Sequence, residues 1–175
     1  TKIEQKSLCL YQYESSYVVL YTCYPYRDST STKCLCISIV SSIMESILHE
    51  LKAIFKGDIF TEKSTRDDYS HDASIYELIP EAVLEPKDSK DVQNLVSFVN
   101  THKKSYPALS ITTRSAGTDM SGAAIGNSLL ISMTKHFSKI EGLTGTVLHT
   151  QPGVFMRDID PFLLSHKLML GSVPA

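Results

Sequence analysis

The sequence predicts a mixed α+β or α/β fold built on a small parallel β-α-β sheet. The start of a second, mixed sheet with helices follows it. Three observations carry that prediction. Pro80-Glu-Ala-Val-Leu-Glu-Pro86 is a short strand between two prolines, which confine it to the limits of a sheet. Lys87-Asp-Ser-Lys-Asp-Val-Gln93 opens a helix that Asp88 or Ser89 can cap, with Val92, Leu95, Val96 and Val99 on its buried face. Ser105-Tyr-Pro107 ends that helix, and Ala108 to Thr113 supplies a second strand suited to burial. Strand, helix, strand over this span is the pattern of a right-handed parallel crossover.

The remaining elements come in chain order. Residues 1–43 differ from the rest, holding all four cysteines (Cys9, Cys23, Cys34, Cys36) and six of the nine tyrosines. Four cysteines suit two disulfides or a zinc site. Cys34-x-Cys36 lacks the usual two-residue ligand spacing, and no histidine falls within 1–43. The segment also lacks a basic start, apolar core and cleavage site in series. It is expected to be an atypical N-terminal extension, disordered or not native, and no site is placed there. From Met44 the pattern becomes regular. Ile47, Leu48, Leu51, Ile54 and Phe55 recur at helical spacing, with Ser42 and Glu45 as a capping box and Gly57 as the stop. Asp58 to Ile79 is polar and irregular and is expected to be a solvated connector. Its His71-Asp72 beside Asp67-Asp68 lacks a third ligand at a recognisable spacing.

Ser128 to Ser132 is predicted as a third strand, and Met133 to Gly142 as a connection. Thr144 to Gly153 alternates like a half-buried strand running into a Pro-Gly turn. Met156 to His166 has helical spacing, marked by Phe155, Ile159, Phe162 and Leu163, and Pro161 allows a start nearer Asp158 or Ile159 as the alternative. Lys167 to Leu170 is expected to begin another strand. His136, His149 and His166 share no spacing that argues for a common site.

A net charge of −2 without a basic run argues against nucleic acid as a partner. The apolar runs are shorter than the roughly 20 residues a bilayer crossing needs. The chain starts with Thr and stops at Gly171-Ser-Val-Pro-Ala175, so it is expected to be part of a longer protein, incomplete at its C-terminal end.

Function concentrates in Arg114-Ser-Ala-Gly-Thr-Asp-Met-Ser-Gly122, between the second and third strands. The segment is small and polar, with Met120 its one large apolar residue. Small residues let a backbone approach a ligand, and successive N–H groups can converge on an anion. A tight surface turn is the alternative, but nine such residues are more than a turn needs. At the carboxyl end of a parallel strand, where ligands bind in open α/β sheets, the segment is expected to bind phosphate.

Five segments in series extend this reading: Pro80-x-Ala-Val-Leu-x-Pro86, Thr113-Arg-Ser-Ala-Gly-Thr-Asp-Met-Ser-Gly-Ala-Ala124, Leu130-Ile-Ser-Met-Thr134, Thr150-Gln-Pro-Gly-Val154 and Val173-Pro-Ala175. Together they resemble the N-terminal half of the FAD-binding domain of the FAD-linked oxidases, the PCMH-type fold shared by p-cresol methylhydroxylase and vanillyl-alcohol oxidase. The branch they look most like is that of the glycolate oxidase FAD subunit and the D-lactate dehydrogenases. The resemblance spans about 44–175, which it assigns as the N-terminal part of the domain.

The resemblance implies that Arg114 to Gly122 wraps the FAD pyrophosphate. Ser115, Ala116, Gly117 and Thr118 would supply amides, and Asp119, Ser121 and Gly122 would continue the wrap. Arg114 would either contribute charge to the site or brace the loop, with bracing preferred. Pro174 and Ala175 match the start of a second loop near the flavin. Family loops often carry more glycines than the single Gly117 here. Small residues suffice unless positions 115 or 116 need positive φ. No histidine lies in 115–122, so FAD is expected to bind without a covalent link there. The implied protein is a cytoplasmic FAD-dependent oxidoreductase, at most peripheral to the inner membrane. It would oxidise a small 2-hydroxy acid such as D-lactate or glycolate. Its catalytic residues lie beyond Ala175, which leaves residues 1–175 alone inactive. Other members of the fold, an ether-lipid synthase or a cell-wall precursor reductase, and a non-catalytic interaction domain are the alternatives.

Overall fold

The computed structural model describes residues 43–171. The expectations for 1–42, and those for Pro174 and Ala175, lie outside the described residues. The chain divides into two units, Thr1–Leu48 and His49–Ala175, and the strands among the described residues belong to the second.

Residues 43–52 are helical (α1). Leu51 and Phe55 are buried as the helical spacing predicts, whereas Ile54 is exposed because the helix has already ended. Gly57 is not the helix stop. A side chain there would run into the backbone of Glu85, so the residue permits a close approach between segments. The polar stretch 58–79 is not an irregular connector. It contains strand β1 (Asp58–Phe60), a short helix α2 (Lys63–Asp68) and a bridge between His71 and Glu77. Elements this short give no periodic signal in a window of 11 or more residues.

Next come β2 (Ala82–Glu85), α3 (Ser89–His102), β3 (Ile111–Arg114) and β4 (Leu129–Ser132). Four strands form one sheet in the order β1-β2-β4-β3. β2 and β3 both run parallel to β4, while β1 adds antiparallel at the edge. β2 and β3 are therefore the two ends of a crossover through α3, and β4 fills the place between them. All four residues of β4 are buried, as a central strand with parallel partners requires. Ala82, Val83 and Leu84 complete the sheet's core from β2.

Asp88 caps α3 by accepting the Asp91 amide at 2.8 Å. The buried face of α3 differs from the expected set. Leu95 and Val99 are buried, but so are Asp91 and Phe98, while Val96 is 53% exposed. Replacing Val96 with glutamine is accordingly expected to change the unfolding free energy by less than about 0.5 kcal/mol, measured by urea denaturation. A loss above about 1 kcal/mol would return Val96 to the core.

The second sheet is antiparallel rather than mixed, a hairpin of β5 (Ile140–Thr144) and β6 (Val147–Thr150). Its turn runs through Gly145 at φ 63°. Helix α4 (Met156–Ser165) begins at Met156 rather than nearer Asp158 or Ile159, and carries Pro161 inside it, with Leu163 buried. Lys167 to Leu170 forms no strand. Lys167 takes φ 59° after the helix, and its amide and that of Leu168 bond back to Leu164 and Leu163. Among the described residues no helix is long and apolar enough to cross a membrane.

Candidate functional site

Because β2, β3 and β4 are parallel, Glu85, Arg114 and Ser132 mark one edge of the sheet at their carboxyl ends. Asp58, which pairs with Glu85, belongs to the same edge. The segment 115–122 leaves β3 there, without helix or strand of its own. The described residues expected to hold the cofactor are thus Arg114 at the end of β3 and the loop that follows it.

Two features of that loop bear on anion binding. The amides of 115–120 donate to no protein acceptor among the described residues. Partly exposed N–H groups without partners are what a bound phosphate would satisfy. Gly117 and Gly122 have φ 72° and 83°, while Ser115 and Ala116 avoid the left-handed region. The turn the backbone needs is therefore placed on the glycines that are present, and the small residues at 115 and 116 carry no strain.

Arg114 points away from phosphate binding. Its Nη1 donates to the carbonyls of Tyr69, at 3.3 Å, and His71, and the guanidinium lies 5.3 Å from the centre of the Tyr69 ring. A side chain at Gly117 would strike that guanidinium. These contacts make Arg114 a brace at the base of the loop. Asp119 and Ser121 are also turned inward. The Asp119 carboxylate accepts from the Ser121 amide and hydroxyl and from the Ala123 amide at 2.8–3.0 Å. The Ala123 amide, followed by the Ser121 hydroxyl, holds the Asp119 carboxyl below the usual carboxylate range.

Several supporting residues give no signal in the sequence. Lys135, in the connection after β4, donates to Asp58 at 2.9 Å and Glu85 at 2.7 Å. Those bonds raise the Lys135 ammonium and lower the Asp58 carboxyl from their ordinary values. Asp58 thus favours the fold above the usual carboxylate range and Lys135 below the usual ammonium range, so both act at neutral pH. The pair ties the β4–β5 connection to the same edge as the loop. His71 and Asp72 are structural: the Asp72 carboxylate accepts the Ser74 amide at 2.9 Å, and His71 lies 3.6 Å from Glu77. The described residues hold no group of three His, Cys, Asp or Glu side chains fit for a metal ion. A shallow groove of about 450 Å³, lined by Ile54, Asn94, Phe98 and His102 among others, includes no loop residue.

Comparison with known proteins identifies the domain in which this loop lies. Residues 80–175 match a family described as an FAD binding domain. The chain belongs to that family. FAD is the cofactor its domain binds, and the matched residues run from the start of the β2 segment through the loop and α4. The chain is 30% identical over 116 residues to D-2-hydroxyglutarate dehydrogenase of Haemophilus influenzae, covering 65% of this chain and 11% of that protein. It is likewise 30% identical over 108 residues to D-2-hydroxyglutarate dehydrogenase of Escherichia coli K12, covering 59% and 10%. The chain therefore spans about a tenth of the length of these relatives.

In fold it is similar to solved structures of alkyldihydroxyacetonephosphate synthase, at TM-score 0.61, and of p-cresol methylhydroxylase with substrate bound, at 0.58. Each is 18% identical and covers 74% of this chain and 26% of the other. These likenesses establish the PCMH-type fold that the five segments resemble. The named relatives are hydroxyglutarate dehydrogenases rather than the lactate and glycolate enzymes of the expected branch.

Proposed function

We propose that this chain is the cofactor-loop part of an FAD-dependent oxidoreductase that oxidises a 2-hydroxy acid, with D-2-hydroxyglutarate as the substrate favoured over D-lactate or glycolate. The observation that carries the loop assignment is the run of amides 115–120 without protein acceptors among the described residues, at the carboxyl end of a parallel strand. In this reading Ser115, Ala116, Gly117 and Thr118 present N–H groups to the pyrophosphate, and Gly117 and Gly122 give the backbone its path. Arg114, Asp119 and Ser121 shape the loop. The pyrophosphate carries about two negative charges, which uncharged amides can satisfy without a lysine-rich loop.

Bound FAD supplies hydride acceptance, and the protein's part is to hold and orient it. Attachment is non-covalent through this segment, since 115–122 contain no histidine, cysteine or tyrosine. The choice of substrate rests on the relatives at about 30% identity. The base and the carboxylate-binding groups belong outside the described residues.

The full-length protein is expected to purify yellow, with the two flavin absorption bands. Acid precipitation should release the flavin into the supernatant. Anaerobic addition of D-2-hydroxyglutarate should bleach the longer-wavelength band faster than equal concentrations of D-lactate or glycolate. A colourless protein that takes up no added FAD would sink the flavoprotein reading. Flavin retained in the precipitate would sink only the non-covalent assignment.

A further inference from the structure

The loop is held against a second segment at its start, middle and end. Residues 69–78 form a compact strap, closed on itself by the Leu78 amide donating to the Ser70 carbonyl at 3.0 Å. Within it the Asp72 carboxylate takes the Ser74 amide, and the Ser74 hydroxyl takes the Tyr76 amide. The strap and the loop meet at three points in the same order along both segments. Arg114 at the loop's start bonds the carbonyls of Tyr69 and His71. Asp119 at its middle accepts the Ala73 amide on its carbonyl at 3.0 Å. Gly122 at its end lies beside the Tyr76 ring, leaving little room for a side chain.

Asp119 is where the two sets of contacts join. Its carbonyl ties the loop to the strap, while its carboxylate gathers the amides of Ser121 and Ala123. The loop's amides therefore divide at Asp119. Those of 115–120 have no protein acceptor among the described residues, and those of 121 and 123 are occupied. A free carboxylate beside a pyrophosphate would repel it. Spread over three donors within the loop, the charge is instead offset where it stands.

We infer that Asp119 is a positioning residue for FAD rather than a cofactor ligand. Through its carboxylate and its link to the strap 69–78, it sets the loop in its binding shape before the pyrophosphate arrives. The inference rests on the flavoprotein reading. Pre-formed loops bind more tightly because ordering is not charged against association. Losing the brace should therefore weaken affinity, whereas losing only the negative charge should not.

The test uses the full-length protein stripped of flavin and titrated with FAD. Asp119→Ala is expected to raise the dissociation constant about tenfold or more, because the loop must then be ordered on binding. Asp119→Asn keeps a carbonyl acceptor for the Ser121 and Ala123 amides, and is expected to stay within about threefold of the wild type. Amide hydrogen exchange supplies a measure that needs no variant. In the flavin-free wild type the amides of 121 and 123 should be protected and those of 115–118 unprotected, with FAD protecting the latter. Wild-type affinity in Asp119→Ala overturns the inference, as does an Asp119→Asn protein as weak as Asp119→Ala, which would make the charged carboxylate a ligand. Free exchange at 121 and 123 before FAD is added overturns it too. Failure of the wild type to take up FAD overturns the flavoprotein reading itself, and this inference with it.

Discussion

Gly117→Val should weaken FAD binding by about two orders of magnitude, in a titration of flavin-free full-length protein. Two independent costs combine at this position. Gly117 sits at φ 72°, in the left-handed region, where a residue with a Cβ loses about 1–2 kcal/mol and a β-branched one more. The new side chain would also enter the space of the Arg114 guanidinium. Moving that group breaks its bonds to the carbonyls of Tyr69 and His71, and a bond to a charged donor contributes about 1.5–3 kcal/mol. A combined loss near 3 kcal/mol corresponds to about a hundredfold in affinity. Val96→Gln is the control, since Val96 is 53% exposed on α3, outside the loop and its strap. It should bind FAD within about threefold of the wild type, since a surface change of this kind moves free energy by about 0.5 kcal/mol at most. Wild-type affinity in Gly117→Val would mean that the loop's path is not what FAD requires.

The place of that loop between two strands is legible in the sequence, because a run of small polar residues interrupts two apolar ones. The flanking β2, α3 and β4 are legible because prolines, an Asp88 cap and a continuous apolar run each leave a local mark. Residue-level burial on α3 is less so. Val96 and Phe98 both fit a helical stripe, and only the packing around the helix leaves Phe98 buried and Val96 exposed.

The strap 69–78 reads as solvent-facing in the sequence because its Ser, Asp and Tyr residues are polar. Their hydrogen bonds are with each other and with a loop some 40 residues later. Tyr-Ser-His-Asp-Ala-Ser does contain turn-forming side chains in close succession, which marks a built turn but not its partner. Lys135 with Asp58 and Glu85 depends on separations of 77 and 50 residues, which no local pattern reports.

Asp91→Ala is the corresponding test of the scaffold, and it should separate stability from binding. Asp91 is fully buried within the first turn of α3. Its Oδ1 accepts the Lys56 amide and its Oδ2 the Lys87 amide, each at 3.0 Å. One carboxylate thus fastens the chain entering β1 to the chain leaving β2. The helix N-terminus favours the negative charge, and the two amides consume its acceptors. Alanine leaves both donors without a partner, at about 1–3 kcal/mol each when buried, so a loss near 3 kcal/mol in unfolding free energy is expected by urea denaturation. A loss below about 0.5 kcal/mol would show that water replaces the carboxylate without cost.

None of the contacts of Asp91 reaches 114–122, so the folded Asp91→Ala protein should keep its affinity for FAD within about threefold. Saturating FAD should then restore most of the lost stability, since ligand at about a hundred times its dissociation constant adds about 2.7 kcal/mol. Gly117→Val should respond in the opposite sense. It should lose affinity about a hundredfold, and FAD at the same concentration should give it almost no added stability. A protein in which both substitutions weakened binding equally would mean that the sheet edge and the loop form one cooperative unit. Separate responses would place cofactor recognition in the loop and its strap, with Asp91 serving the sheet on which they stand.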